Sequence, residues 1–81
     1  MQIKIKLFYH LKEKAGIGVI NLDIPEKSTI GDIKNTLEFQ YPQLRTHLDN
    51  VMILMDQKIV LDDDQIKDGA EVSFLTPVGG G

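Results

Sequence analysis

Thr29-Ile30-Gly31-Asp32-Ile33-Lys34-Asn35-Thr36-Leu37-Glu38-Phe39-Gln40-Tyr41-Pro42 is the stretch on which the fold turns. Ile30, Ile33, Leu37 and Tyr41 recur at helical spacing and fall on one side, so the segment predicts an amphipathic helix. Thr29 is placed to cap the first turn, and Asp32 three residues on completes a shortened capping box. Pro42 ends the element, because proline lacks an N–H and its ring collides with the preceding turn. Gly31 costs up to ~1 kcal/mol relative to alanine in a helix interior, and less in a first turn.

Upstream, Ile3, Ile5, Leu7 and Tyr9 alternate with Lys4, Lys6, Phe8 and His10, a period of two that sets one strand face on a core. Residues 11–15 predict a helical turn, after which Gly16 and Gly18 loosen the chain. Ile20, Leu22 and Ile24 form a second alternation, stopped by Pro25. Two such strands joined by a loop read as an antiparallel pair. Downstream, residues 51–55 read as a central strand, apolar on both faces. Asp56-Gln57-Lys58 is a turn and Ile59-Val60 a short strand. Residues 61–66 read as a polar crossing with one helical turn, Asp68-Gly69 as a turn, and residues 71–75 as the last strand. A hairpin, one main helix and further strands make an α+β arrangement, with a sheet of four to five strands covered on one face. Should the first and last strands pair in the centre, they run parallel and give the ubiquitin-like β-grasp topology. Periodicity alone leaves that pairing open.

Composition narrows the function. The chain has 81 residues, enough for one domain with one modest core. A deep substrate cavity would consume that core, which favours a partner or carrier over a self-sufficient enzyme. A net charge of −3 provides no dominant basic face for nucleic acid. Cysteine is absent, which excludes disulfide scaffolds, thiolate metal sites and thiol nucleophiles. The opening residues do not resemble a signal peptide, and the longest apolar run is far too short to span a bilayer, so a cytoplasmic protein is expected.

After the last strand comes Thr76-Pro77-Val78-Gly79-Gly80-Gly81. Pro77 cannot donate to a sheet and marks where the strand leaves the ladder. Three glycines without β-carbons predict a mobile end, so the chain divides into a domain over 1–76 and a flexible tail over 77–81. Extended, the tail reaches ~17 Å and could present a carboxylate inside a narrow channel. On composition alone it reads as a frayed terminus.

The stretch Asp68-Gly69-Ala70-Glu71-Val72-Ser73-Phe74-Leu75-Thr76-Pro77-Val78-Gly79-Gly80-Gly81 resembles the C-terminal signature of the small subunit of molybdopterin synthase. There a D-G-x-E-V-x-F strand runs into a proline-valine step and a terminal Gly-Gly. Lys6-Leu7-Phe8-Tyr9-His10-Leu11-Lys12-Glu13-Lys14-Ala15-Gly16 is similar to the first strand and turn of the same family. Gly79 departs from the pattern, where a residue with a side chain is common, but leaves Gly80-Gly81 in place. The sulfur carriers of thiamine and cysteine biosynthesis share the resemblance more weakly. Ubiquitin shares the fold and the diglycine end.

The resemblance implies that an activating enzyme of the ubiquitin-activating type uses ATP to adenylate the Gly81 carboxylate. A sulfur donor then replaces AMP and leaves a thiocarboxylate. It further implies that a larger synthase subunit, in a two-plus-two assembly, takes this end into its own active site and transfers the sulfur to a pterin precursor. The chain would then bind no cofactor itself and would serve as a carried substrate rather than a catalyst. Open alternatives are a sulfur carrier for thiamine, cysteine or tRNA thiolation, a ubiquitin-like modifier of lysines, and a passive interaction module.

No side-chain chemistry competes with this reading. His10 and His47 lie in different elements without metal-ligand spacing. Asp62-Asp63-Asp64 lacks the alternating ligands and distal glutamate of a calcium loop and reads as solvated charge. No serine has a base at a recognisable spacing, and there is no phosphate-binding glycine loop. Leu75 stands out instead: with Val72 and Phe74 facing the helix, Leu75 points away from it just before the tail. The resemblance implies that Leu75 and Ile59, with Pro77 and Val78, meet the partner. The alternative is that Leu75 or Ile59 only covers a sheet edge within the monomer.

Overall fold

A computed structural model describes residues 1–76. Elements run β1 (Gln2–Leu7), α1 (His10–Ala15), β2 (Val19–Asp23), α2 (Ile30–Gln40), a 3-10 turn (Pro42–Leu44), β3 (Met52–Met55), β4 (Lys58–Ile59) and β5 (Glu71–Leu75). The five strands form one sheet in the order β2-β1-β5-β3-β4. β1 and β5 are parallel, while β1–β2, β3–β5 and β3–β4 are antiparallel. The side-by-side pairing of first and last strands, which periodicity leaves open, is therefore present, and the fold is the ubiquitin-like β-grasp.

One face of the sheet carries the core. Ile3, Ile5 and Leu7 of β1, Ile20 and Leu22 of β2, Ile53 of β3, and Val72 and Phe74 of β5 are buried with Ile30, Ile33 and Leu37 of α2. Phe74 is fully buried and is among the largest side chains of this cluster. Tyr41, the last member of the helical stripe, is only partly buried. The capping box is formed as the spacing predicts: Thr29 Oγ1 accepts from Asp32 N at 3.3 Å, and Asp32 Oδ2 accepts from Thr29 N at 2.9 Å.

Two local expectations are corrected, the place of one strand and the bounds of another. Residues 51–55 do not form the central strand; β5 holds that place, and β3 lies between it and the short edge strand β4. β3 is apolar on both faces, as expected, and its outer face is partly open, with Met52 half exposed. Residues 61–66 form no helix; a single turn, in which Asp64 N donates to Leu61 O at 3.0 Å, goes no further. Two of the carbonyls that follow bond outside the segment: Asp64 O accepts from Ile30 N at 3.0 Å and Asp62 O from Gly31 N at 2.8 Å. The crossing thus satisfies two of the N–H groups that the first turn of α2 leaves unpaired. Gly31 belongs at this contact, where an added β-carbon would stand 3.3 Å from Asp62 O. Finally, the short strand is Lys58–Ile59 rather than Ile59-Val60, because Asp56 and Gln57 alone make the tight turn, both at positive φ. Among the described residues no helix is long and apolar enough to cross a membrane.

Candidate functional site

Parallel pairing makes β1 and β5 end on the same side of the molecule, so the chain leaves the sheet beside the β1–α1 turn. Along β5, Val72 and Phe74 are buried beneath α2, while Ser73 and Leu75 lie half-buried on the opposite, outer face. This alternation is the one read from the sequence.

Strand register decides what surrounds Leu75. Met52 of β3 is its direct partner, and Leu54 is the partner of both Ser73 on β5 and Ile59 on β4. Directly paired side chains in antiparallel strands share a face with their β-carbons roughly 5 Å apart. Leu75 and Met52 therefore form one apolar row on the outer face, and Leu54 and Ile59 form the next. Ile59 is 68% exposed and Met52 51%, whereas Leu54 and Leu75 are half-buried. Phe8, also half-buried, donates its N–H to Phe74 O at 3.2 Å and so extends the parallel ladder to the level of Leu75. Contiguous apolar surface of this kind marks an interaction site more often than scattered exposed residues do.

The sequence names Leu75 and Ile59 but misses Met52 and Leu54. A signal was available: once Ile53 is assigned to the core, period two sends residues 52 and 54 to the other face. An unbroken apolar run conceals that parity.

The polar border is also defined. Lys6 Nζ sits 3.3 Å from Glu71 Oε1, an exposed pair that contributes little to stability. Asp56 Oδ1 accepts from Glu71 N at 3.2 Å, and Asp56 N donates to Glu71 O at 3.0 Å, which ties the β3–β4 turn to the start of β5. A shallow depression of about 300 Å³ lies here, lined by Leu54, Asp56, Gln57, Glu71 and Ser73.

Other candidates do not assemble. His10 starts α1, and His47 lies after the 3-10 turn. Among the described residues no three His, Cys, Asp or Glu side chains gather as a metal site. Asp62 Oδ1 pairs with Lys34 Nζ at 3.0 Å, and Asp64 Oδ2 accepts from Leu61 N at 2.7 Å, so two of the three consecutive aspartates serve the loop itself. Pro77, Val78, Gly79, Gly80 and Gly81 lie outside the described residues.

Comparison with known proteins gives a consistent set of relatives. A sequence model of the ThiS family matches residues 5–81. The chain is 32% identical over 83 aligned positions to the molybdopterin synthase sulfur carrier subunit of Dictyostelium discoideum, covering 99% of this chain and 96% of that one. The crystal structure of SAMP1 from Haloferax volcanii, a small archaeal modifier protein, superposes with a TM-score of 0.91 at 25% identity over 100% of both chains. Subunits 1 and 2 of the molybdopterin-converting factor of Helicobacter pylori have been solved as a complex. The matching chain gives a TM-score of 0.74 at 18% identity, again with 100% coverage of both, a likeness of fold.

Proposed function

The chain belongs to the ThiS family, and on that basis we propose that it is the sulfur carrier of a molybdopterin synthase, with the Gly81 carboxylate as its working group. A carboxylate is a poor electrophile. An activating enzyme joins it to the α-phosphate of ATP, releasing pyrophosphate and leaving an acyl adenylate at Gly81. Sulfur from a donor attacks the acyl carbon, AMP departs, and the product is a thiocarboxylate. The larger synthase subunit then receives this end in its active site, where the sulfur passes to a pterin precursor. Gly80 and Gly81 have no β-carbons, which lets one tail enter two differently shaped channels. Sulfur carried on the backbone needs no cysteine.

The observation that carries this reading is the placement of Leu75. It stands on the last rung of β5, on an apolar outer face with Met52, Leu54 and Ile59, and six positions before Gly81. A partner seated on that face holds the start of the tail at a fixed place, so the reach from Leu75 to Gly81 sets where the carboxylate arrives. The Helicobacter pylori complex of subunits 1 and 2 supports a large subunit as one such partner. An adenylating enzyme is the other.

The similarity to SAMP1 favours a second reading, in which an amine rather than a sulfur nucleophile attacks the activated Gly81 and the chain modifies lysines. Intact mass spectrometry on protein from its native cells separates the two. A free chain heavier by one oxygen-to-sulfur exchange is the expected result. Lysine adducts without any sulfur-bearing free chain would overturn the carrier reading.

A further inference from the structure

β1 ends in a turn that one of its residues does not suit. Leu11 N donates to Phe8 O at 3.2 Å and closes the four-residue turn Phe8-Tyr9-His10-Leu11, which opens α1. Tyr9 has φ 56° and ψ −126° there, the conformation of the first central residue of a type II′ turn. Glycine holds that place at no steric cost, whereas a β-carbon is crowded in it. Burial does not offset the strain, because Tyr9 is 57% exposed. Its ring lies tilted against that of Phe8, with centroids 6.3 Å apart, and otherwise faces outward. Neither the turn nor the core therefore accounts for a tyrosine, and strain of this kind gathers at binding sites.

Position says what meets this ring. Phe8 continues β1 to the level of Leu75, so Tyr9 follows where β5 gives way to Thr76. Exposed apolar side chains stand on both sides of that exit: Met52 and Ile59 toward β4, and Tyr9 with Ile17 toward β2. Tyr9 and Ile17 share an open groove of about 510 Å³ with Lys12, Glu13, Gly16 and Gly18. Only residues 77–81 separate Thr76 from the Gly81 carboxylate, a reach of at most ~17 Å. A body that takes Gly81 into a channel must therefore lie close against the exit and cover what surrounds it. We propose that Tyr9 is an anchor for the large synthase subunit, its ring entering a pocket of that subunit beside the mouth of the channel that receives the tail. This rests on the proposed function. The large subunit is the occupant because the two-plus-two assembly keeps it on the chain, whereas the activating enzyme meets the chain only to charge it. An exposed tyrosine suits the role, since its rigid ring brings a large apolar area and its hydroxyl takes a hydrogen bond at the rim. Leu75, Met52 and Ile59 then hold one side of the exit and Tyr9 the other, which fixes the direction of the tail as well as its root.

Sulfur transfer from the full chain, prepared as the Gly81 thiocarboxylate, to the pterin precursor on the large subunit tests it, together with thermal melts. Tyr9→Gly removes the ring and supplies the residue that the turn favours. Expected is an unchanged or higher melting temperature, with the chain concentration for half-maximal transfer raised roughly ten-fold or more. The rate at saturating chain should stay the same, because the chemistry at Gly81 is untouched. Tyr9→Phe keeps the ring and should stay within about three-fold of the unmodified chain. Half-maximal transfer by Tyr9→Gly at the unmodified chain's concentration overturns the proposal. So does a lowered melting temperature alongside weak binding, since the ring would then be packing the fold. Slower charging of Tyr9→Gly by the activating enzyme, with transfer unchanged, overturns the choice of partner. An unmodified chain that transfers no sulfur would sink the carrier reading and the anchor with it, whereas normal transfer by both chains would sink the anchor alone.

Discussion

At the scale of the residue, Ile59 and Leu75 separate docking from stability. Ile59 is mostly solvent-exposed on an edge strand, so Ile59→Glu should change the unfolding free energy by no more than about 0.5 kcal/mol in denaturant melts. A buried apolar anchor contributes about 2 kcal/mol or more to an interface, and a charge in its place adds a desolvation cost. Titration of the same variant should therefore show at least a roughly thirty-fold loss of affinity for the large subunit and for the activating enzyme. Normal binding by a folded Ile59→Glu chain would remove that residue from the interface. Leu75 is half-buried beside Met52, so Leu75→Glu should lose binding and also cost about 1 kcal/mol of stability. Both residues were legible in the sequence: Leu75 alternates with two core residues, and Ile59 follows a clear turn. Met52 and Leu54 were not, because residues 51–55 are apolar without a break. Only the register against Leu75, Ser73 and Ile59 shows which of them face outward.

At the scale of the element, local signals and cross-chain contacts divide the work. The start of α2 is fixed by its own residues through the reciprocal bonds of Thr29 and Asp32. Asp32→Ala should cost about 1 kcal/mol in thermal or denaturant unfolding and leave binding to both partners unchanged, since α2 covers the opposite face of the sheet. Weakened partner binding in a folded Asp32→Ala chain would count against the assignment of the outer face. The bounds of β5 and the extent of α2 follow from alternation, helical spacing and Pro42. The turn expected within residues 61–66 is present at Leu61–Asp64 and stops there for a reason no local pattern contains. Their backbone oxygens bond to Ile30 and Gly31, and Gln65 bridges Thr29, so the segment is held as a strap across the helix start. The tight Asp56-Gln57 turn places two non-glycine residues at positive φ, and the bonds between Asp56 and Glu71 hold it there.

At the scale of the whole molecule, the proposed carrier is a small domain that positions a short chemical arm. The core between α2 and the sheet holds β5, and β5 holds Leu75 on the outer face; under the proposed function the number of residues from there to Gly81 sets where the carboxylate arrives. Phe74→Ala should cost about 3–5 kcal/mol by opening a cavity at the centre of this arrangement, and a shift of that size in the unfolding midpoint checks it. The chain should sediment as a complex when mixed at micromolar concentration with its large subunit, in a two-plus-two assembly. Under the proposed function Gly81 carries the sulfur at a fixed reach from the docking face. The most direct test of this compares sulfur transfer to the pterin precursor by the full chain and by a chain lacking Gly81, with the activating enzyme, ATP and a sulfur donor supplied. The shortened chain is expected to melt at the same temperature as the full one and to transfer no sulfur. Full transfer by the chain without Gly81 would contradict it.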